Sequence, residues 1–142
     1  MKKLLTWFFI LGLLGLGAAD LKIFCTTYPV WLLTRELTDG VKGVRTELMI
    51  PAGTGCPHEY VLTPADLRKL GTPNLLVVRN GLGLDDFMLK PLRKVNPGAA
   101  VITACEGLEV LRGECRHCHH GEHEHSANPH LFASPDTAAG MR

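Results

Sequence analysis

Residues 74–78 read Asn-Leu-Leu-Val-Val, and beyond Arg79 the chain continues Asn80-Gly81-Leu82-Gly83-Leu84-Asp85. An almost unbroken apolar run of this length, without the alternation of a half-exposed strand, is the pattern of a strand buried on both faces. The Gly-Leu-Gly turn leads from it into a helix expected from Asp85 to about Val95, and 99–104 reads as the next strand. Upstream the same alternation recurs. Leu21–Thr26 (LKIFCT) is strand-like, and Tyr28–Asp39 carries Val30, Leu33 and Leu37 at helical spacing between Pro29 and the stop at Gly40. Val44, Thr46, Leu48 and Ile50 then alternate with polar neighbours as a second strand, followed by a Gly and Pro rich loop, 51–60. Thr63-Pro64-Ala65-Asp66 opens a helix with a hydroxyl cap, a Pro preset to helical φ and an acid three residues on. Strands alternating with helices predict an α/β fold: a four-stranded parallel sheet with helices on both faces. In such sheets ligands gather at the carboxyl ends of the strands.

The 142 residues carry 15 Lys or Arg against 14 Asp or Glu, a formal charge of +1 that leaves no basic excess for nucleic acid. At 46% apolar and 20% charged the chain has the makings of one domain with a modest core, which excludes disorder, collagen and coiled coil.

Residues 1–19 begin with Lys2 and Lys3, run through an apolar stretch broken by Gly12, Gly15 and Gly17, and end in Ala18-Ala19. This is the layout of a secretory signal peptide, with cleavage expected after Ala19. The apolar stretch is shorter than the ~20 residues a membrane-spanning helix needs, and no basic stop follows. Cys25 is preceded by Lys22, Ile23 and Phe24 rather than small residues, which argues against a lipoprotein anchor. The expectation is a periplasmic or otherwise exported protein, soluble after cleavage. Five Cys follow the leader, and an odd number in an oxidising compartment leaves at least one unpaired, reactive or on metal.

Of seven His, six lie between His117 and His130. The segment Cys115-Arg116-His117-Cys118-His119-His120-Gly121-Glu122-His123-Glu124-His125 holds more imidazole and thiol ligands than one tetrahedral ion requires and too few apolar residues for a core. It is internal and mixed with Cys and Glu, unlike an expression tag, and reads as an accessory metal-binding loop over 115–125. Its Cys115-x-x-Cys118-His119 also fits the haem c attachment pattern, the competing reading being an exported c-type haem protein. Against that, the neighbours are Glu, Gly and more His instead of an apolar haem pocket.

Two other His share a design. His58 follows Pro57 shortly before the Thr63 cap, and His130 follows Pro129 shortly before Ser134-Pro135. Each is a His on stiff backbone ahead of a helix start, the kind of placement a tight zinc site needs. Glu59, beside His58, is the one candidate base for a metal-dependent hydrolase, and no nucleophile, base and orienter set accompanies it. Gly81-Leu82-Gly83 lacks the third Gly of a dinucleotide loop, Asp86 standing in its place, so it reads as a plain strand-to-helix turn.

Taken together, Thr27-Tyr28-Pro29, Pro57-His58-Glu59-Tyr60 with Thr63-Pro64-Ala65-Asp66, Asn80-Gly81-Leu82-Gly83-Leu84-Asp85, and Asn128-Pro129-His130 with Ser134-Pro135 resemble the periplasmic zinc-binding proteins of ABC metal importers, the ZnuA-type cluster of solute-binding proteins. The resemblance covers nearly all of the chain after the leader. A His-rich loop ahead of Asn-Pro-His is more like the zinc members than the manganese members. It implies two α/β lobes joined by a long helix, with zinc, or less readily manganese, bound between them by three His and a carboxylate or water. His58 and His130 fall on the two ligand positions of the first lobe. It further implies capture for an ABC permease, a binding protein and not an enzyme. On this reading 1–19 is the leader, 20–133 the N-terminal lobe, and 134–142 the start of the connecting helix of a truncated or fragmentary form. Cys56, Cys115 and Cys118 depart from the usual loop composition.

Overall fold

The computed structural model describes residues 20–108 and 129–133, with Asp136 and Ala139. The leader, the accessory loop 115–125 and most of 134–142 lie outside the described residues, although Asp136 and Ala139 are both helical. Four strands form one sheet: β1 (Leu21–Cys25), β2 (Val44–Leu48), β3 (Leu75–Arg79) and β4 (Ala100–Thr103). Helix α1 (Tyr28–Thr38) links β1 to β2, α2 (Pro64–Leu70) precedes β3, and α3 (Leu89–Val95) precedes β4. Strand order is β2-β1-β3-β4 with every pair parallel. The chain steps outward from β1 to β2, then crosses back over β1 to β3. The direction reverses between β1 and β3, and that reversal opens a crevice at their carboxyl ends.

The two faces of the sheet are filled by different helices, because successive side chains on a strand point to opposite sides. Phe24, Leu75 and Val77 face Leu70, Met88 and Leu92, with Leu67 and Leu89 at the edge, so α2 and α3 cover one side. Ile23, Cys25 and Val78 face Val30, with Trp31 and Leu33 around them, so α1 covers the other. Its cover is partial, and Ile102 on β4 stays 51% exposed. No helix among the described residues is long and apolar enough to cross a membrane.

Most strands are shorter than expected by one or two residues, β2 ending at Leu48 and not Ile50, and two boundaries move for a clear local reason. Asn74 has φ 54°, a left-handed turn conformation, so the buried strand starts at Leu75 and takes in Arg79. The helix expected from Asp85 begins only at Leu89, after a 3-10 turn over Asp86–Met88. A later start puts Pro91 in the first turn of α3, where its missing N–H costs nothing; a helix from Asp85 would bury that defect in its interior.

The Thr63 capping box forms as the sequence predicts. The Asp66 amide donates to Thr63 Oγ1 at 3.2 Å, and the Thr63 amide donates to Asp66 Oδ2 at 2.8 Å. The Thr63 hydroxyl, at 2.7 Å, and Tyr60 OH, at 2.8 Å, lie on the same oxygen. Burial alone would raise the Asp66 carboxyl, but the Thr63 hydroxyl and amide, Tyr60 and the Lys69 charge outweigh it and hold it below its ordinary 3.8. Conversely, burial and the bond to Asp66 push the Tyr60 phenol up to about 12. A carboxyl depressed by folding stabilises the fold above its unfolded value and loses that contribution as pH falls through and below it. Asp66→Asn is therefore expected to cost about 1 kcal/mol at neutral pH. The gap from the parent protein should close below pH ~4. Urea melts at both pH values check this, and a gap that persists in acid contradicts it.

Candidate metal centre

The carboxyl ends of β1 and β3 are clamped by one buried carboxylate. Asp85 is fully buried and accepts from Thr26 Oγ1 at 2.5 Å, the Asn80 amide at 2.6 Å and the Gly81 amide at 3.0 Å. Arg79 Nε lies 3.5 Å from its Oδ1, and Arg79 Nη2 donates to Asp86 at 2.5 Å. A buried negative charge persists only when compensated in this way, by a cation and several donors together. The arrangement also disposes of a phosphate-binding role for Gly81-Leu82-Gly83: the Asn80 and Gly81 amides already hold the Asp85 side chain.

His58 sits in a 3-10 turn, Pro57–Glu59, that follows the loop after β2. The turn is pinned by the Glu59 amide on the Cys56 carbonyl at 3.1 Å and the Tyr60 amide on the Pro57 carbonyl at 3.2 Å. Tyr60 is tied in turn to Asp66, so the capped helix α2 anchors the His58 turn from behind. The imidazole itself is exposed.

His130 arrives from the opposite side. Pro129 is buried, and its carbonyl accepts from Asn80 Nδ2 at 2.9 Å, a bond between residues 49 positions apart. The Ala133 amide donates to the His130 carbonyl at 3.0 Å, closing a 3-10 turn over Leu131–Ala133. Phe132 stands edge-on to the half-buried imidazole, ring centres 5.6 Å apart. The result is that the His58 and His130 rings meet edge-on, centres 6.1 Å apart and planes at 76°. Two imidazoles on one tetrahedral zinc, with Zn–N near 2.0–2.1 Å, have ring centres about 5 Å apart. The observed separation is about an ångström wider than that.

Among the described residues no group of three or more His, Cys, Asp or Glu is placed to hold a metal ion. Glu59 is exposed and joins no such group, and Cys56 is exposed just ahead of the His58 turn. Cys25 and Cys105 are buried and free; burial pushes the Cys25 thiol up to about 11, against a bond with Thr34, and raises Cys105 as well. Protonated thiols of this kind are poor metal ligands. The accessory ligands Cys115, His117, Cys118, His119, His120, His123 and His125, and with them the haem pattern, lie outside the described residues. Sequence reasoning did not find the Asp85 and Asn80 network: both residues stood in a quoted motif, but nothing in a linear string says which backbone groups they reach.

A parallel sheet covered by helices on both faces is the fold this chain shares with metal-binding solute-binding proteins of known structure. Residues 23–141 match the family described as zinc-uptake complex component A, periplasmic, and the chain belongs to that family. It is 33% identical over 94 residues to the high-affinity zinc uptake system protein ZnuA of Haemophilus ducreyi, covering 66% of this chain and 28% of that protein. The Haemophilus influenzae protein of the same name is 32% identical over 103 residues, covering 71% and 29%. Among solved structures, the solute-binding protein FpvC of P. aeruginosa in complex with a Ni2+ ion superposes with a TM-score of 0.66 at 27% identity, over 86% of this chain and 40% of that one. The chain thus spans well under half the length of these three relatives. The family's description and the names of the two Haemophilus relatives are those of a periplasmic component of zinc uptake.

Proposed function

We propose that this chain captures zinc in the periplasm through His58 and His130 and serves an ABC permease as its metal-delivering partner, making and breaking no covalent bond. The observation that carries the reading is the pair of neighbouring imidazoles at the strand ends. Imidazole is borderline-soft and suits zinc better than manganese, which prefers oxygen ligands. Two imidazoles supply half of a tetrahedral shell, the remainder coming from water or from groups beyond the described residues. Such a site is selective in ligand type yet weak enough to release its ion.

In this reading the loop with Cys115, His117, Cys118, His119, His120, His123 and His125 is an accessory zinc store that dominates the metal content of the protein. Titration calorimetry on the full chain and on a version lacking 115–125 tests both parts. The shortened version is expected to lose most zinc equivalents and keep one weak event. Unchanged zinc content and affinity would remove the accessory loop from the scheme, and complete loss of binding would remove the His58 and His130 site.

A further inference from the structure

We infer that Asn80 is the positioning residue of the metal site, setting through the Pro129 carbonyl where His130 presents its imidazole. The inference rests on the reading of His58 and His130 as zinc ligands. Asn80 is fully buried at the end of β3, its backbone amide locked to Asp85 at 2.6 Å. Its side-chain nitrogen donates to two carbonyls, Gly81 at 3.1 Å and Pro129 at 2.9 Å. Those acceptors fix the orientation of the carboxamide, since a flipped amide would set its oxygen against both carbonyls. Its oxygen is buried with no hydrogen-bond partner among the described residues. A buried amide that leaves half of itself unsatisfied is a poor packing element. The satisfied half reaches the residue next to His130.

Pro129 suits this arrangement. It has no N–H and a fixed φ, so its carbonyl is the polar handle by which the peptide before His130 can be held. With Asp85 clamping Asn80 to the sheet and Asn80 holding Pro129, the His130 ring is referenced to the rigid strand ends and not to the chain that precedes it. Outer groups that orient a ligand in this way usually matter to affinity nearly as much as the ligands.

The test reads each ring separately. In the full chain labelled with 15N-histidine, ring resonances of His58 and His130 are followed at free zinc levels fixed by a chelator buffer, so zinc held by other His does not obscure the pair. Asn80→Ala and the near-isosteric Asn80→Asp are expected to raise the free zinc needed for half-saturation of His130 by about 10–100-fold. A purely structural role would weaken the site whatever sits at 130. Asn80→Ala should therefore add no further loss at the His58 ring in a His130→Ala background. Equal further loss there, or half-saturation unchanged in the single variants, overturns the inference. Should neither variant fold, the unmutated protein still decides: the Asn80 side-chain amide protons must shift and exchange more slowly as zinc saturates His130, and indifference to zinc overturns the inference. If the His58 and His130 rings of the unmutated protein ignore zinc, the metal site itself fails, an outcome distinct from failure of Asn80 alone.

Discussion

His130→Ala is expected to weaken zinc binding at the ordered site by about 100-fold or more, beyond the ~10–100-fold that loss of an outer orienting group costs. His58→Ala should do the same. With two imidazoles in the pair, removing either converts a chelate into a single-point contact, and the entropy of bringing a second ligand to the ion is no longer recovered. The fold should not suffer. His58 is exposed on its turn and His130 is half-buried, so thermal midpoints of both variants should stay close to that of the parent. Calorimetry on versions lacking 115–125, or the ring resonances of the full chain, would read the loss. Affinity retained in both variants would sink the assignment. Coordinating imidazole must be neutral, so protons compete with zinc and the same measurement should show affinity falling on acidification.

The largest effect on stability is expected at a residue without a side chain. Gly81 has φ +91°, and a Cβ built on it would lie 2.5 Å from both Cys105 Sγ and Thr103 Cγ2. The left-handed backbone costs an L-residue roughly 1–2 kcal/mol. Forcing the neighbours of a packed strand end apart adds about 1–3 kcal/mol. Gly81→Ala should thus lose about 2–5 kcal/mol in urea unfolding, and a loss under about 0.5 kcal/mol would contradict the account. Gly98→Ala is the control, because nothing lies within 4 Å of its added Cβ and its φ is ordinary. The Gly81 substitution should also weaken zinc binding, since Gly81 donates to Asp85 and accepts from Asn80.

Much of the fold could be read from local chemistry. The apolar run ending at Val78 is one of the two inner strands, flanked by β1 and β4, because only a strand covered on both faces needs apolar residues at successive positions. Thr63 and Asp66 fixed a helix start because both halves of that motif are three residues apart and need no tertiary partner. What escaped the sequence was set at long range. Asp85 reads as a helix-opening acid, yet its side chain turns back to Thr26 and to the amides of Asn80 and Gly81, so the helix waits until Leu89. The site divides the same way. His58 and His130 each stood out by a preceding Pro, but their approach to 6.1 Å depends on strand order, and the role of Asn80 on a bond spanning 49 positions.

That bond also bears on how the chain between the sheet and His130 is free to change. On one side of residues 109–128 the Leu108 amide is held by the Cys105 carbonyl at 3.2 Å, and on the other Asn80 grips the Pro129 carbonyl at 2.9 Å. Neither bond involves a side chain between 109 and 128. Gain or loss of a His or Cys in that stretch therefore removes neither anchor. On the proposed reading, the number of accessory ligands can then vary while the contact that places His130 beside His58 stays in place.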